Sequence, residues 1–202
     1  MIRIYLFIFL LALPALAQNS GDRVEPAATG PAYDLSVGYT YLSTSSPAGN
    51  IHLNGVDGSG TIDVAPRWGG TLNGSFVRTG DVLGTGHGGY VLSVLGGPVF
   101  YPAERGKTRF FVHALAGVAV VDSAVPLSST SYLAGWLGRF SYDFGGGVEQ
   151  YIAGPFGVRA GADFQRTEFA NALDVIRPEN NLRLTLSVIF RPRRGQRYST
   201  KY

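Results

Sequence analysis

The chain has 202 residues, 45% of them hydrophobic and only 15% charged, with 28 Gly, 12 Phe, 11 Tyr and no Cys. That length suits one domain of ordinary size and leaves no room for a second large enzyme domain, and the missing cysteine excludes disulfides and thiolate metal centres. The formal charge of +3 gathers at Arg191, Arg193, Arg194, Arg197 and Lys201, a basic end rather than a nucleic-acid footprint, so no nucleic-acid partner is expected.

Residues 1–17, MIRIYLFIFLLALPALA, carry Arg3, an apolar run from Ile4 to Leu13, a Pro14 break and Ala15-Leu16-Ala17. This is the pattern of a cleaved signal peptide, and the run is shorter than the ~20 residues of a spanning helix. Residues 18–31 are polar, small and proline-containing, which reads as a disordered leader.

Alternation then begins. In YDLSVGYTYL, Tyr33, Leu35, Val37, Tyr39 and Tyr41 fall on one face and Asp34, Ser36, Gly38 and Thr40 on the other, the period of two that defines a strand. The same pattern predicts a second strand over 51–64, with Asp57 and Asp63 on its polar side, and a third from Trp68 to Phe76 after the Ala65-Pro66-Arg67 turn. A fourth, over 88–101, is apolar on both faces apart from Ser93. The PAERGK turn at 102–107 leads to a fifth, 109–121, with Arg109 and His113 on its polar side. The sixth, 133–150, opposes Trp136, Phe140, Tyr142, Phe144 and Val148 to Arg139, Ser141, Asp143 and Glu149. Beyond Ala153-Gly154-Pro155, the seventh (156–167) carries Arg159 and Asp163, and the eighth (182–190) carries Arg183. Longer connections, rich in Ser, Thr, Gly, Asn and Asp, are expected near 44–50, 78–87, 121–132 and 167–181.

Short turns alternating with long loops are the arrangement of bacterial outer-membrane barrels. The expectation is an all-β, eight-stranded antiparallel transmembrane up-and-down barrel over 32–190, followed by a basic periplasmic tail at 191–202. It would lie in the outer membrane with both termini periplasmic and the long loops extracellular. A soluble, lipocalin-like barrel would turn its apolar face inward. Here the apolar face carries the large rings, and an interior of about eight strands has room only for side chains. Lipid is therefore expected outside, with Tyr33, Tyr41, Trp68, Tyr90, Phe100, Tyr101, Trp136 and Tyr142 as interfacial aromatics.

The segments NGVDGSGTIDVAPRWGGTLNGSF, LGGPVFY, FFVHALAGVAV, FGGGVEQ and NNLRLTLSVIF resemble the small outer-membrane β-barrel family related to the transmembrane domain of outer membrane protein A, over roughly Tyr33 to Phe190. The resemblance implies an eight-stranded barrel, often without a biochemical activity. No cell-wall tether is expected to carry over from the larger relatives, whose peptidoglycan-binding domain has no counterpart among these residues. The last strand also resembles the signal read by the outer-membrane assembly machinery. Arg183, Val188 and Phe190 stand at matching positions, while Thr185 stands where glycine is usual.

The polar faces predict a structural interior network of Asp34, Asp57, Asp63, Arg109, Arg139, Asp143, Glu149, Arg159, Asp163 and Arg183, since charges so enclosed must pair. His113 is expected to be a hydrogen-bonded filler of that interior. Three scattered histidines without local ligand spacing predict no metal site, and no cofactor is expected. Gly145-Gly146-Gly147 and Gly84-Thr85-Gly86 lack the helix and the Lys-Ser/Thr pair of a phosphate loop. His87, near a loop, has no convincing Ser and acid neighbours for catalysis on lipid A. The expected role is structural or surface-interactive and not enzymatic. A narrow passive pore is the alternative, and a lipid A-modifying barrel is a third. Expected partners are outer-membrane lipids, the assembly machinery during insertion, and cell-wall polymer or lipid headgroups at the basic tail.

Overall fold

A computed structural model describes residues 32–46, 49–82, 84, 86–126, 132–167 and 179–192. The expected signal peptide, the leader and residues 193–202 lie outside the described residues. The strands are β1 (Ala32–Ser46), β2 (Gly49–Ala65), β3 (Trp68–Thr79), β4 (Gly89–Phe100), the two-residue β5 (Glu104–Arg105), β6 (Thr108–Pro126), β7 (Tyr132–Ala153), β8 (Phe156–Thr167) and β9 (Glu179–Phe190).

The sheet runs β4-β3-β2-β1-β9-β8-β7-β6-β5, and a further pairing of β4 with β6 closes it. Eight long strands thus form a continuous antiparallel cylinder, with β5 a stub folded back on β6 inside the PAERGK turn. Closure gives each long strand two hydrogen-bonded neighbours, so no long edge is left bare.

Tight turns join β2 to β3, β5 to β6 and β7 to β8, all at one end of the cylinder. Gly106 (φ 59°) and Gly154 (φ 56°) occupy the left-handed region that two of these turns demand. Both ends of the described barrel, Ala32 and Phe190, lie at this turn end. At the other, hairpin end, two of the expected loops are corrected. Pairing in β1 and β2 continues to Ser46↔Gly49, and in β6 and β7 to Pro126↔Tyr132, so most of 44–50 and 121–132 is strand. Ser and Thr in water mark a loop by composition, yet they also suit a two-stranded ribbon standing clear of the apolar belt. The β3–β4 connection does turn as a loop, with Gly84 (φ 78°) and Gly86 (φ 73°) in the left-handed region.

The alternation has a physical sense that is inside out relative to a soluble barrel. Val37 is 66% and Leu186 58% exposed, while Glu149 and Thr40 are fully enclosed. Such a belt of bare aliphatic side chains is stable only against hydrocarbon. Rings border it on both sides: Trp68 lies against Phe100 at the turn end, with ring centroids 4.7 Å apart, and Tyr90 meets Trp136 edge-on at 5.3 Å toward the hairpin end. The ten residues separating Tyr90 from Phe100 along β4 span ~33 Å, or ~25 Å of membrane depth at a tilt of ~40°. Tyr101 departs from the expected girdle. It is 3% exposed and packs inside with Val99 and Phe111, because it continues the inward parity of Val99 where β4 ends.

Close strand approach explains the triple glycine. A Cβ on Gly147 would stand 2.0 Å from the Ala160 carbonyl oxygen, whereas one on Gly70 would meet nothing within 4 Å. Gly147→Val is expected to cost about 1–3 kcal/mol through overpacking and to lower the fraction of chain that keeps its folded mobility on unboiled gels. Gly70→Ala should leave that fraction unchanged.

The charged interior as candidate functional site

The inward faces of the strands stack into layers. At the turn end, Arg109, rooted at the start of β6, reaches across the lumen to three carboxylates. It donates from Nη2 to Asp34 Oδ2 (2.6 Å), from Nη1 to Asp63 Oδ2 (2.9 Å) and from Nε to Glu149 Oε2 (2.8 Å). Its guanidinium lies 3.8 Å from the centre of the Tyr101 ring, which covers a face that offers no hydrogen bonds. Arg159 donates from Nε to Glu149 Oε1 (2.9 Å) and from Nη1 to Ser59 Oγ (2.9 Å).

The next layer centres on Arg183 of β9, which is 2% exposed. It donates from Nε to Asp163 Oδ2 (3.0 Å) and from Nη1 to Asn73 Oδ1 (2.9 Å). Its Nη2 stands 2.6 Å from Asp143 Oδ2, an ion pair in distance but without the alignment of a hydrogen bond. Asp57 accepts from Asn73 Nδ2 (3.2 Å) and Ser187 Oγ (3.0 Å). His113 lies in the interior between two carboxylates. Its Nε2 has no hydrogen-bond partner, yet it lies 3.1 Å from Asp163 Oδ1 and 3.6 Å from Asp143 Oδ1. A cavity of about 20 Å³ adjoins His113, Asp163 and Arg183, room for about one water.

Beyond these layers the polar groups become neutral: Ser75 with Ser93 at 2.7 Å, Gln165 donating to Ser141 at 3.2 Å, and Asn181 donating to Thr167 at 3.1 Å. An apolar cluster of Leu42, Leu53, Val77, Val91 and Ala119 then fills the hairpin end.

Nine of the ten interior residues expected from the pattern are thus gathered in the first two layers. Arg139 is the correction. It has inward parity, opposite Ala119, but β8 pairs with β7 only as far as Ser141↔Thr167. Arg139 therefore sits above the described barrel wall, exposed, with its Nη1 donating to the neighbouring Gly138 carbonyl. The residue missed is Arg191, assigned by sequence to the tail. It turns back into the mouth and donates from Nη2 to Asp34 Oδ2 (2.6 Å) and Asp63 Oδ2 (3.2 Å). The signal for it was a surplus of acid at that end of the lumen. Of the expected assembly signal, Arg183 points inward, while Val188 and Phe190 face outward at 53% and 38% exposure. His87 is exposed beside the β3–β4 connection.

Neither a protein-family model nor a curated protein sequence matches the chain. Solved structures do. Neisserial surface protein A superposes with a TM-score of 0.65 at 9% identity, over 81% of this chain and 99% of that one. Ail, the attachment invasion locus protein of Yersinia pestis, crystallised with the heparin analogue sucrose octasulfate, gives 0.55 at 15% identity, over 80% and 99%. The chain has the fold of the small outer-membrane β-barrels. At such identities only the fold is shared, so this barrel's layered interior is argued from its own residues.

Removing Arg109 would leave Asp34, Asp63 and Glu149 with only Arg191 and Arg159 to balance them, in a lumen that has little water to solvate the surplus charge. Arg109→Met is expected to lower unfolding stability in detergent by about 3–5 kcal/mol. Arg139→Ala should leave the denaturant midpoint unchanged, and the pair is compared by urea titration of intrinsic fluorescence.

Proposed function

We propose that this barrel is a resident of the outer membrane with a structural and surface-interaction role, and that it neither conducts solutes nor catalyses a reaction. The observation that carries the reading is the filled lumen. Two ion-pair layers, a hydroxyl and amide layer and the Leu42, Leu53, Val77, Val91 and Ala119 cluster succeed one another along the axis, and eight strands leave no width for a water-filled path around them. A molecule so filled acts through its outside and its ends.

In this reading the termini and the tight turns face the periplasm, and the hairpin end faces the exterior. The β6–β7 ribbon, which continues to Pro126↔Tyr132, would stand farthest from the barrel wall as the contact surface. The shared fold with Ail, a protein named for attachment, supports that reading without supplying a ligand. Outer-membrane lipids would cover the apolar belt, and the assembly machinery would read the last strand through Val188 and Phe190. The basic stretch after Arg191 would meet anionic headgroups or cell-wall polymer at the periplasmic face.

Planar-bilayer recording separates this reading from the pore. The purified barrel is expected to give no steady single-channel current in 1 M KCl, a salt level of the order at which charged-lumen screening is strong. A stable conductance that scales with salt and is altered by Arg183→Ala would favour the pore instead.

A further inference from the structure

We propose that His113, Asp143 and Asp163 form a divalent-cation site of the zinc class inside the barrel, holding β6, β7 and β8 together. The first argument is charge. In the turn-end layer the carboxylates of Asp34, Asp63 and Glu149 face the guanidinium groups of Arg109, Arg159 and Arg191, three against three. In the next layer Asp143 and Asp163 pair with Arg183, while Asp57 accepts from Asn73 and Ser187 beside a cavity that Arg159 also lines. Over both layers six carboxylates thus meet four arginines, two positive charges short, and enclosed charge without a counter-charge is costly. A protonated His113 supplies one; a divalent cation supplies both.

Geometry is the second argument. His113 Nε2, Asp143 Oδ1 and Asp163 Oδ1 make no hydrogen bond, and the three residues place ligand atoms within 4.8 Å of one another. The separations from Nε2, 3.1 Å and 3.6 Å, are those of donors sharing one ion. Bonds of ~2.0–2.2 Å in tetrahedral or octahedral geometry hold neighbouring donors ~3.0–3.6 Å apart. Asp143 is 1% and Asp163 3% exposed, so bulk solvent does not reach their idle oxygens.

The surroundings orient the set. Arg183 Nη2 approaches the Oδ2 of both carboxylates, at 2.6 Å and 3.0 Å, which leaves both Oδ1 atoms for the His113 side. Such outer contacts hold metal-binding carboxylates in place. Gly145 lies beside both His113 and Asp163 in register, and a Cβ there would come within 2.0 Å of Asp163 Oδ1; glycine leaves that oxygen its place. The adjoining cavity of about 20 Å³ can seat a water as a fourth ligand. One imidazole with two carboxylates suits Zn²⁺ better than Ca²⁺ or Mg²⁺, which favour all-oxygen shells with more ligands.

The test uses the full chain, unfolded with a chelator, refolded in detergent with equimolar Zn²⁺ and desalted. The wild type and the surface variant His52→Ala are expected to retain about one zinc per chain, and His113→Asn and Asp163→Asn, folded by unboiled gel mobility, to retain at least ~10-fold less. Zinc-free wild type, or His113→Asn holding as much zinc as wild type, would overturn the proposal. Should neither variant fold, X-ray absorption of the zinc-loaded wild type decides. One imidazole with oxygen ligands is expected, and a site without imidazole or with several contradicts the assignment.

Discussion

The whole structure rests on one pairing of constraints: a hydrogen-bonded sheet closed on itself inside hydrocarbon, and a lumen so narrow that whatever faces inward must find its partner there. The first disposes of backbone polarity, since every long strand has a neighbour on both sides. The second turns the inward residues into a problem of charge balance, and Arg109 is the clearest case. One side chain reaches Asp34, Asp63 and Glu149 on three different strands, and Tyr101 lies flat against it. Each of those acids would be unaffordable alone, yet together with Arg159 and Arg191 they close the turn end of the cylinder.

The interior is graded along its axis. Ion pairs dominate at the turn end, a mixed layer around Arg183 follows, hydroxyl and amide pairs come next, and aliphatic side chains fill the hairpin end. This gradient gives the molecule its character as a filled cylinder. Among the described residues, the Oδ1 atoms of Asp143 and Asp163 beside His113 belong to a short set of enclosed polar atoms without hydrogen-bond partners, with Asp63 Oδ1 and the Tyr101 hydroxyl among the others.

The period-two code was legible in most of the long strands because every inward or outward choice is made residue by residue along one strand, and it was faintest in β4, which is apolar on both faces apart from Ser93. The interior set was legible for the same reason, at Asp34, Asp63, Glu149 and Arg183 alike. Strand ends were harder to place. Ser43, Thr44 and Ser45 look like loop in composition, and only their pairing with Asn50, Ile51 and His52 shows that the sheet continues. Arg139 misled because parity says which way a side chain points and not whether a wall stands behind it. Arg191 was missed because a tail of basic residues hides one that folds back. The grouping of His113 with Asp143 and Asp163 was invisible, since the three lie on three strands and come together only through register.

The most direct test of the central claim is a spin-label scan along β9 in a lipid bilayer, with single cysteines placed from 184 to 188 and accessibility read from oxygen and from a water-soluble nickel reagent. Labels at 184, 186 and 188, in place of Leu184, Leu186 and Val188, should be rich in oxygen and closed to nickel. Those replacing Thr185 and Ser187 should be shielded from oxygen. Uniform access to nickel along the strand, or oxygen exposure at 185 and 187 instead, would contradict a barrel with hydrocarbon outside and paired charge within.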